Sequence, residues 1–269
     1  MKKVKSSKNR AVATGKRVIK RADKWIEIYG VPLFGTQLST VISKIWLQRK
    51  EMLHVATVNS EYIMEARHSE KFRNILGKCL TVADGYGVIW AVKILNHKFS
   101  NSPIERITGV QLAEKILERA DQKGEKIFLL GAAEGVAQKA AQAMRARYPG
   151  AKIAWFEGAK TVKVEKSEEA SMTIAKINGF EPDYLLVAYG SPAQDLWIEE
   201  NRPYLRARVA IGVGGVLDEW AGVVKKCPTW IDQLGFKWLW RVSHEPWRWK
   251  RILRVLQFGI LVLYQKLID

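Results

Sequence analysis

Short apolar runs alternate with stretches of helical periodicity along most of this chain. HVATVN (54–59) reads as a strand, with a helix starting near Glu61. CLTVAD (79–84) is the next strand, followed by a helix through Trp90 and Ile94. The polar stretch NHKFSNSPIER (96–106) leads into a helix from about Gly109 to Gln122. KIFLLG (126–131) predicts a strand, AAEG a turn and VAQKAAQAMRARY (136–148) a helix. KIAWFEG (152–158), DYLLVAYG (183–190) and RVAIGVGG (208–215) are further strands, the last two separated by a helix around DLWIEENRPYL. Strands alternating with helices predict an α/β, Rossmann-like fold with a largely parallel sheet covered by helices on both faces.

The final forty-odd residues break this rhythm. Trp230, Trp238, Trp240, Trp247 and Trp249 are interleaved with basic residues, and the chain ends in RILRVLQFGILVLYQKLID. This segment predicts a helical C-terminal appendage. Its apolar face could pack on the core, lie in a lipid interface, or join basic and aromatic side chains on RNA.

A length of 269 residues with 48% hydrophobic content suits one large domain plus an appendage as well as it suits two small domains. The expected division is a basic flexible tail over 1–24, an α/β catalytic domain over 25–222 and the appendage over 223–269. The net charge of +17 gathers at the two ends, from Lys2 to Lys24 and from Arg241 to Arg254. Such ends suit a polyanionic partner: nucleic acid, anionic lipid or a phosphorylated substrate. Cys79 and Cys227 have neither disulfide-framework nor zinc-ligand spacing, so a reducing, cytosolic home is expected. No apolar run reaches the ~20 residues that span a bilayer, and the basic start lacks a signal peptide's apolar stretch.

The chemistry-bearing residues stand where strands end. Asp84 interrupts an apolar run between Ala83 and Gly85, at the sheet edge where open α/β folds hold ligands; as an Asp before a helix it also reads as an N-cap. Thr57, Asn59 and Glu61 follow the first strand. Gly131 precedes a helix start whose amides could meet phosphate. Gly190-Ser191-Pro192-Ala193-Gln194 and Gly212-Val213-Gly214-Gly215 close two more, with glycines that let a ligand approach the main chain. GAAEG (131–135) matches neither a dinucleotide fingerprint nor a P-loop, which argues against a dehydrogenase and an NTPase. Asn59 also fits a turn, and Arg106 a solvated surface charge.

Six strings occur in order: TVNSE (57–61), ADGYGV (83–88), IERITG (104–109), GSPAQD (190–195), GVGG (212–215) and HEPWRWKR (244–251). Together they resemble the WecG/TagA/CpsF glycosyltransferases, glycosyltransferase family 26, from about residue 27 to about 254. The resemblance implies an inverting enzyme that moves a sugar, typically N-acetylmannosamine, from a UDP-sugar. The usual acceptor is N-acetylglucosamine on a polyprenyl diphosphate at the cytoplasmic membrane face, in cell-envelope polysaccharide or teichoic-acid synthesis. It makes Asp84 the catalytic base and puts Thr57, Asn59, Arg106, Gly109 and Gln194 in the pocket. It places Arg241, Arg248 and Arg251 in an appendage that closes over the site on membrane contact. Arginines at the departing diphosphate would make a metal dispensable, so no cofactor is expected, and there is no Asp-X-Asp motif. The expected partners are a UDP-sugar donor, the lipid-diphosphate acceptor and an anionic membrane surface, with no nucleic acid; a homo-oligomer stays open. Three positions depart from the family pattern: Asp195 where Glu is usual, Gln111 where Asp is common and Lys237 where Glu is common. The alternatives are a family member using another UDP-sugar and, more remotely, a basic nucleic-acid-binding protein.

Overall fold

A computed structural model describes residues 25–48, 50–95, 104–159, 167–245 and 249–268. The basic start (1–24), most of the polar stretch (96–103) and Arg248 lie outside the described residues; Arg251 falls within a helix but its side chain is not described. The described chain opens with an antiparallel hairpin absent from the sequence reading, β1 (Trp25–Ile28) and β2 (Val31–Phe34). Tyr29 and Gly30 between them both have positive φ, 49° and 78°, the two-residue turn that matches strand twist.

A six-stranded, all-parallel sheet follows in the order β4-β3-β8-β7-β5-β6. Its members are β3 (Leu53–Val58), β4 (Leu80–Ala83), β5 (Lys126–Gly131), β6 (Lys152–Phe156), β7 (Tyr184–Ala188) and β8 (Val209–Gly212). Every strand predicted from the apolar runs is present. β4, β7 and β8 are buried at every residue, because both faces carry helices. Alternation along the strands splits the core. Val55, Leu129, Leu186 and Ile211 face one helical layer, packed by α1 (Leu38–Leu47), α5 (Gly109–Lys123), α6 (Val136–Arg147) and α9 (Val216–Trp220). Ala56 and Val58 face the other way, toward α2 (Ser60–His68), α3 (Glu70–Leu76) and α4 (Tyr86–Ile94). On that same side Leu130 and Val187 meet α7 (Ser167–Phe180) and α8 (Ala193–Asn201).

Connections leaving β5 and β7 run in opposite directions across the sheet, so a crevice opens between their carboxyl ends. The last helices are α10 (Thr229–Gln233), α11 (Lys237–His244) and α12 (Trp249–Ile268). Neither α10 nor α11 has a fully buried residue. α12 is anchored beside α2 and α4 by Phe258 and Val262, while Leu256, Ile260 and Leu267 remain exposed. The core-packed and the exposed readings of this helix thus hold on different faces of it.

Candidate active site

The main chain of Asp84 is fixed on the sheet edge, its N–H donating to Val58 O at 2.7 Å. The neighbouring Ala83 carbonyl accepts from Ile107 N at 2.8 Å and ties in the segment that leads to α5. The helix-cap reading of Asp84 is corrected here. α4 has Gly85 as its N-cap residue, with no side-chain cap bond. The Asp84 carboxylate turns to α5 and accepts from the Gly109 backbone N–H. That helix is capped by Thr108 and Gln111, whose side chains reciprocally bond each other's main chain, so Gln111 has a local structural task. Burial pushes the Asp84 carboxyl above its ordinary value; Arg106, Lys237 and the Gly109 N–H pull the other way without cancelling it.

Arg106 is not a solvated surface charge. Its guanidinium lies 4.6 Å from the Tyr86 ring centroid, and Nη2 donates to Asp232 on α10 at 2.7 Å. Its Nε is buried with no hydrogen-bond partner among the described residues. Arg241 on α11 reaches the strand edge. A Cβ on Gly215 would stand 2.5 Å from Arg241 Nη2, so only glycine lets the guanidinium settle there.

Two cavities meet at Asp84. One, of about 600 Å3, is the polar crevice over the strand ends, bordered by Thr57, Tyr189, Ser191, Gln194, Gly214 and Asp218. The other, of about 490 Å3, runs from Asp84, Arg106 and Gly109 past Lys237 and between α4 and α12. Asn59, Glu61, Asp84, Gly215 and Arg241 border both. The structure therefore gathers Thr57, Asn59, Asp84, Arg106, Gly109, Gln194, Gly214, Gly215 and Arg241. Gly131 is not brought in. It is buried, and a Cβ there would stand 2.8 Å from the Tyr189 ring; Ala132 and Ala133 after it border the crevice instead. The amide of Gly135, at the start of α6, is already taken by Glu157 at 2.6 Å.

Asn59 combines both of its readings. Its Oδ1 caps α2, accepting from Glu61 N at 2.9 Å and Tyr62 N at 3.2 Å, so the amide N–H groups are what it can offer to the cavities. Gln194 is 2% exposed and bonded at both ends of its amide. Its Oε1 accepts from Gly214 N at 3.0 Å, and its Nε2 donates to the Tyr62 hydroxyl at 2.8 Å. Tyr62 donates to Asp195 at 2.8 Å, and Asp195 faces His54 Nε2 at 3.1 Å. Gln194 thus shapes the Gly214 wall, held by residues that the sequence reading did not assign to the site. Tyr62→Phe leaves a buried oxygen of Asp195 and a buried N–H of Gln194 short of a partner. The expected cost is about 1–3 kcal/mol, read as a lower urea midpoint; an unchanged midpoint would show that both groups do without the phenol.

The only candidate metal cluster among the described residues is His54, Cys79 and Glu199, with donor atoms within 4.8 Å of one another. Its donors are already in use: Glu199 Oε1 takes His54 Nδ1 at 3.0 Å and Arg202 Nε and Nη2 at 3.0 and 2.8 Å. A guanidinium on that oxygen suits a buried imidazolium network better than a divalent ion. Burial opposes charge on His54, but Cys79, Asp195 and Glu199 outweigh it and hold its pKa well above the ordinary value. Burial likewise pushes Glu199 up, yet its bonds from His54 and Arg202 prevail and bring it to about 2.

A doubly covered parallel sheet with a half-buried carboxylate and guanidinium groups converging at its carboxyl edge defines a Rossmann-like α/β protein with a charged site at the strand ends. The chain belongs to the glycosyl transferase WecG/TagA/CpsF family, whose profile matches residues 26–269. It is similar to the N-acetylglucosaminyldiphosphoundecaprenol N-acetyl-beta-D-mannosaminyltransferase of Bacillus subtilis (strain 168), 29% identical over 243 residues, covering 89% of this chain and 91% of that one. The enzyme of the same name from Staphylococcus aureus (strain MRSA252) is 29% identical over 242 residues, covering 88% and 90%.

Proposed function

We propose that this glycosyltransferase moves N-acetylmannosamine from a UDP-sugar to N-acetylglucosamine on a polyprenyl diphosphate, with inversion. The observation that carries the reading is the position of the Asp84 carboxylate, on the border of a polar crevice and a second cavity with cationic and apolar ends. The names of the relatives supply the sugars and the lipid carrier. In this reading the donor occupies the crevice and the acceptor the second cavity. The acceptor hydroxyl attacks the anomeric carbon as its proton passes to Asp84. The bond from that carbon to the diphosphate oxygen breaks, and UDP leaves from the opposite face with the electron pair. Burial raises the carboxyl toward the working pH, which suits a base. Arg241, bordering both cavities, would stabilise the charge on the departing diphosphate; Arg106 and Lys237 would face the acceptor's own. With guanidinium groups in that role, the step needs no metal.

The test is to incubate the protein with UDP-N-acetylmannosamine and a lipid-diphosphate-N-acetylglucosamine, and to measure UDP release and the anomeric configuration of the product. No turnover with any UDP-hexosamine would sink the reading, and a retained configuration would remove the single displacement.

The reading also places the protein peripherally on the cytoplasmic membrane face. No described helix is long and apolar enough to cross a membrane, while Trp230, Phe236, Leu256, Ile260 and Leu267 are exposed on the last helices. Mixed apolar and basic surfaces of this kind lie in anionic interfaces. The double substitution Leu256→Asp, Ile260→Asp should lower partitioning onto anionic vesicles about tenfold or more, since burying each side chain is worth ~1.5–3 kcal/mol. Undiminished partitioning would place the membrane contact elsewhere.

A further inference from the structure

The second cavity continues away from Asp84 into an apolar arm that sugar and diphosphate do not need. Its polar end carries Asp84, Arg106, Lys237 and Arg241; its far end is walled by Trp90 and Ile94 of α4 and by Val255, Gly259 and Leu263 of α12. Trp90 is 52% exposed there despite its size. Gly259 stands mid-way along α12, where glycine is the poorest choice after proline. Glycines usually keep such a place because a neighbour would collide with a side chain. Here an added Cβ meets nothing within 4 Å. The helix is not loosely held, since Phe258 next to Gly259 and Val262 one turn on are each 2% exposed. The arm is therefore a firm-walled apolar space in which glycine keeps room that no part of the described protein fills.

We propose that this arm binds the first isoprene units of the acceptor, so that the enzyme recognises its carrier's hydrocarbon as well as its sugar. The inference rests on the glycosyl-transfer reading above and adds a lipid-binding subsite to it. The order of groups in the ligand matches the order along the cavity. With the sugar hydroxyl at Asp84, the diphosphate falls beside Arg106 and Lys237, and the chain beyond it enters the arm between α4 and α12. A free acyl chain or a detergent would use the apolar end alone and leave the cationic end without a counter-charge, so an amphiphile bearing a diphosphate is the better fit.

The test compares N-acetylglucosaminyl diphosphates carrying one isoprene or four, below their micellar concentrations. For the wild-type protein, kcat/KM for the four-isoprene acceptor should exceed that for the one-isoprene acceptor about tenfold or more, because buried methylenes each add to affinity. Gly259→Leu, which fills the arm and favours the helix, should bring that ratio close to one without lowering the thermal midpoint. Trp90→Ala should reduce the ratio in part, whereas Leu253→Ala, exposed on α12 and outside the cavity lining, should preserve it. A wild-type ratio near one, or an undiminished ratio in Gly259→Leu, overturns the subsite. A calorimetric arm separates this from failure of the sugar reading, using geranylgeranyl diphosphate and inorganic diphosphate as probes. Tail-dependent affinity lost in Gly259→Leu, without any transfer, supports the arm and retires the sugar assignment. Equal affinity for the two probes, or equal competition by a decyl chain lacking phosphate, overturns the arm.

Discussion

Asp84→Asn lowers kcat by about 10²–10⁴-fold, the range lost with a positioned general base, while UDP-sugar affinity stays nearly unchanged. Asparagine keeps the size of the side chain and an oxygen able to accept from the Gly109 N–H, so the loop between β4 and α4 retains its hold on α5. What disappears is the capacity to take a proton from the acceptor hydroxyl. The wild-type rate should also fall on acidification through a pKa above the ordinary carboxylate value, because burial raises Asp84 and only the ionised form is a base. Steady-state UDP release across pH, paired with calorimetric titration of UDP, measures both effects. A near-normal kcat in the variant would take Asp84 out of the chemistry.

The second large effect concerns stability. His54→Ala removes the cation between Asp195 and Glu199, two carboxylates that are 0% and 9% exposed in their side chains. Breaking a buried pair in this way costs about 3–5 kcal/mol, since an uncompensated charge stays behind; Arg202 still serves Glu199, so Asp195 bears most of the loss. The pH dependence has a definite sign. A raised histidine pKa contributes stability that is fully present below the unfolded value near 6.5, and that is lost as pH rises through the folded value. Guanidinium unfolding of both proteins between pH 6 and 9 should show a declining midpoint in the wild type and a lower, flatter one in the variant. Parallel curves would mean that His54 is neutral in the fold.

The strands were legible because each is a nearly continuous apolar run, and a parallel sheet buried on both faces demands that composition. The hairpin at 25–34 has only Tyr29-Gly30 between two short apolar runs to announce it, a two-residue turn signal. The expected helices also leave out α1, α3, α7 and α9, the last directly after the GVGG strand end. At the site, residues on strand ends could be assembled from sequence, because parallel strands deliver all their carboxyl ends to one edge. Asp232, Tyr62 and His54 could not. Arg106 meets Asp232 across 126 positions, Tyr62 meets Asp195 across 133 and His54 meets Asp195 across 141, and no local pattern announces such pairings. The same limit hides the contact of Cys79 with His54, 25 positions apart. The departures from the family pattern acquire tasks once they are placed: Gln111 completes a helix cap, Asp195 accepts from Tyr62 and His54, and Lys237 offsets part of the Asp84 shift.

The chain of bonds from Gly214 to Asp195 has a direction. Gly214 N–H gives to Gln194, Gln194 N–H gives to Tyr62, and the Tyr62 hydroxyl gives to Asp195, so every proton leans from the crevice toward the interior. An amide in such a queue cannot be turned end over end without setting donor against donor at Gly214. The face that Gln194 shows to the crevice is thus decided from behind, by an anion that the ligand never meets.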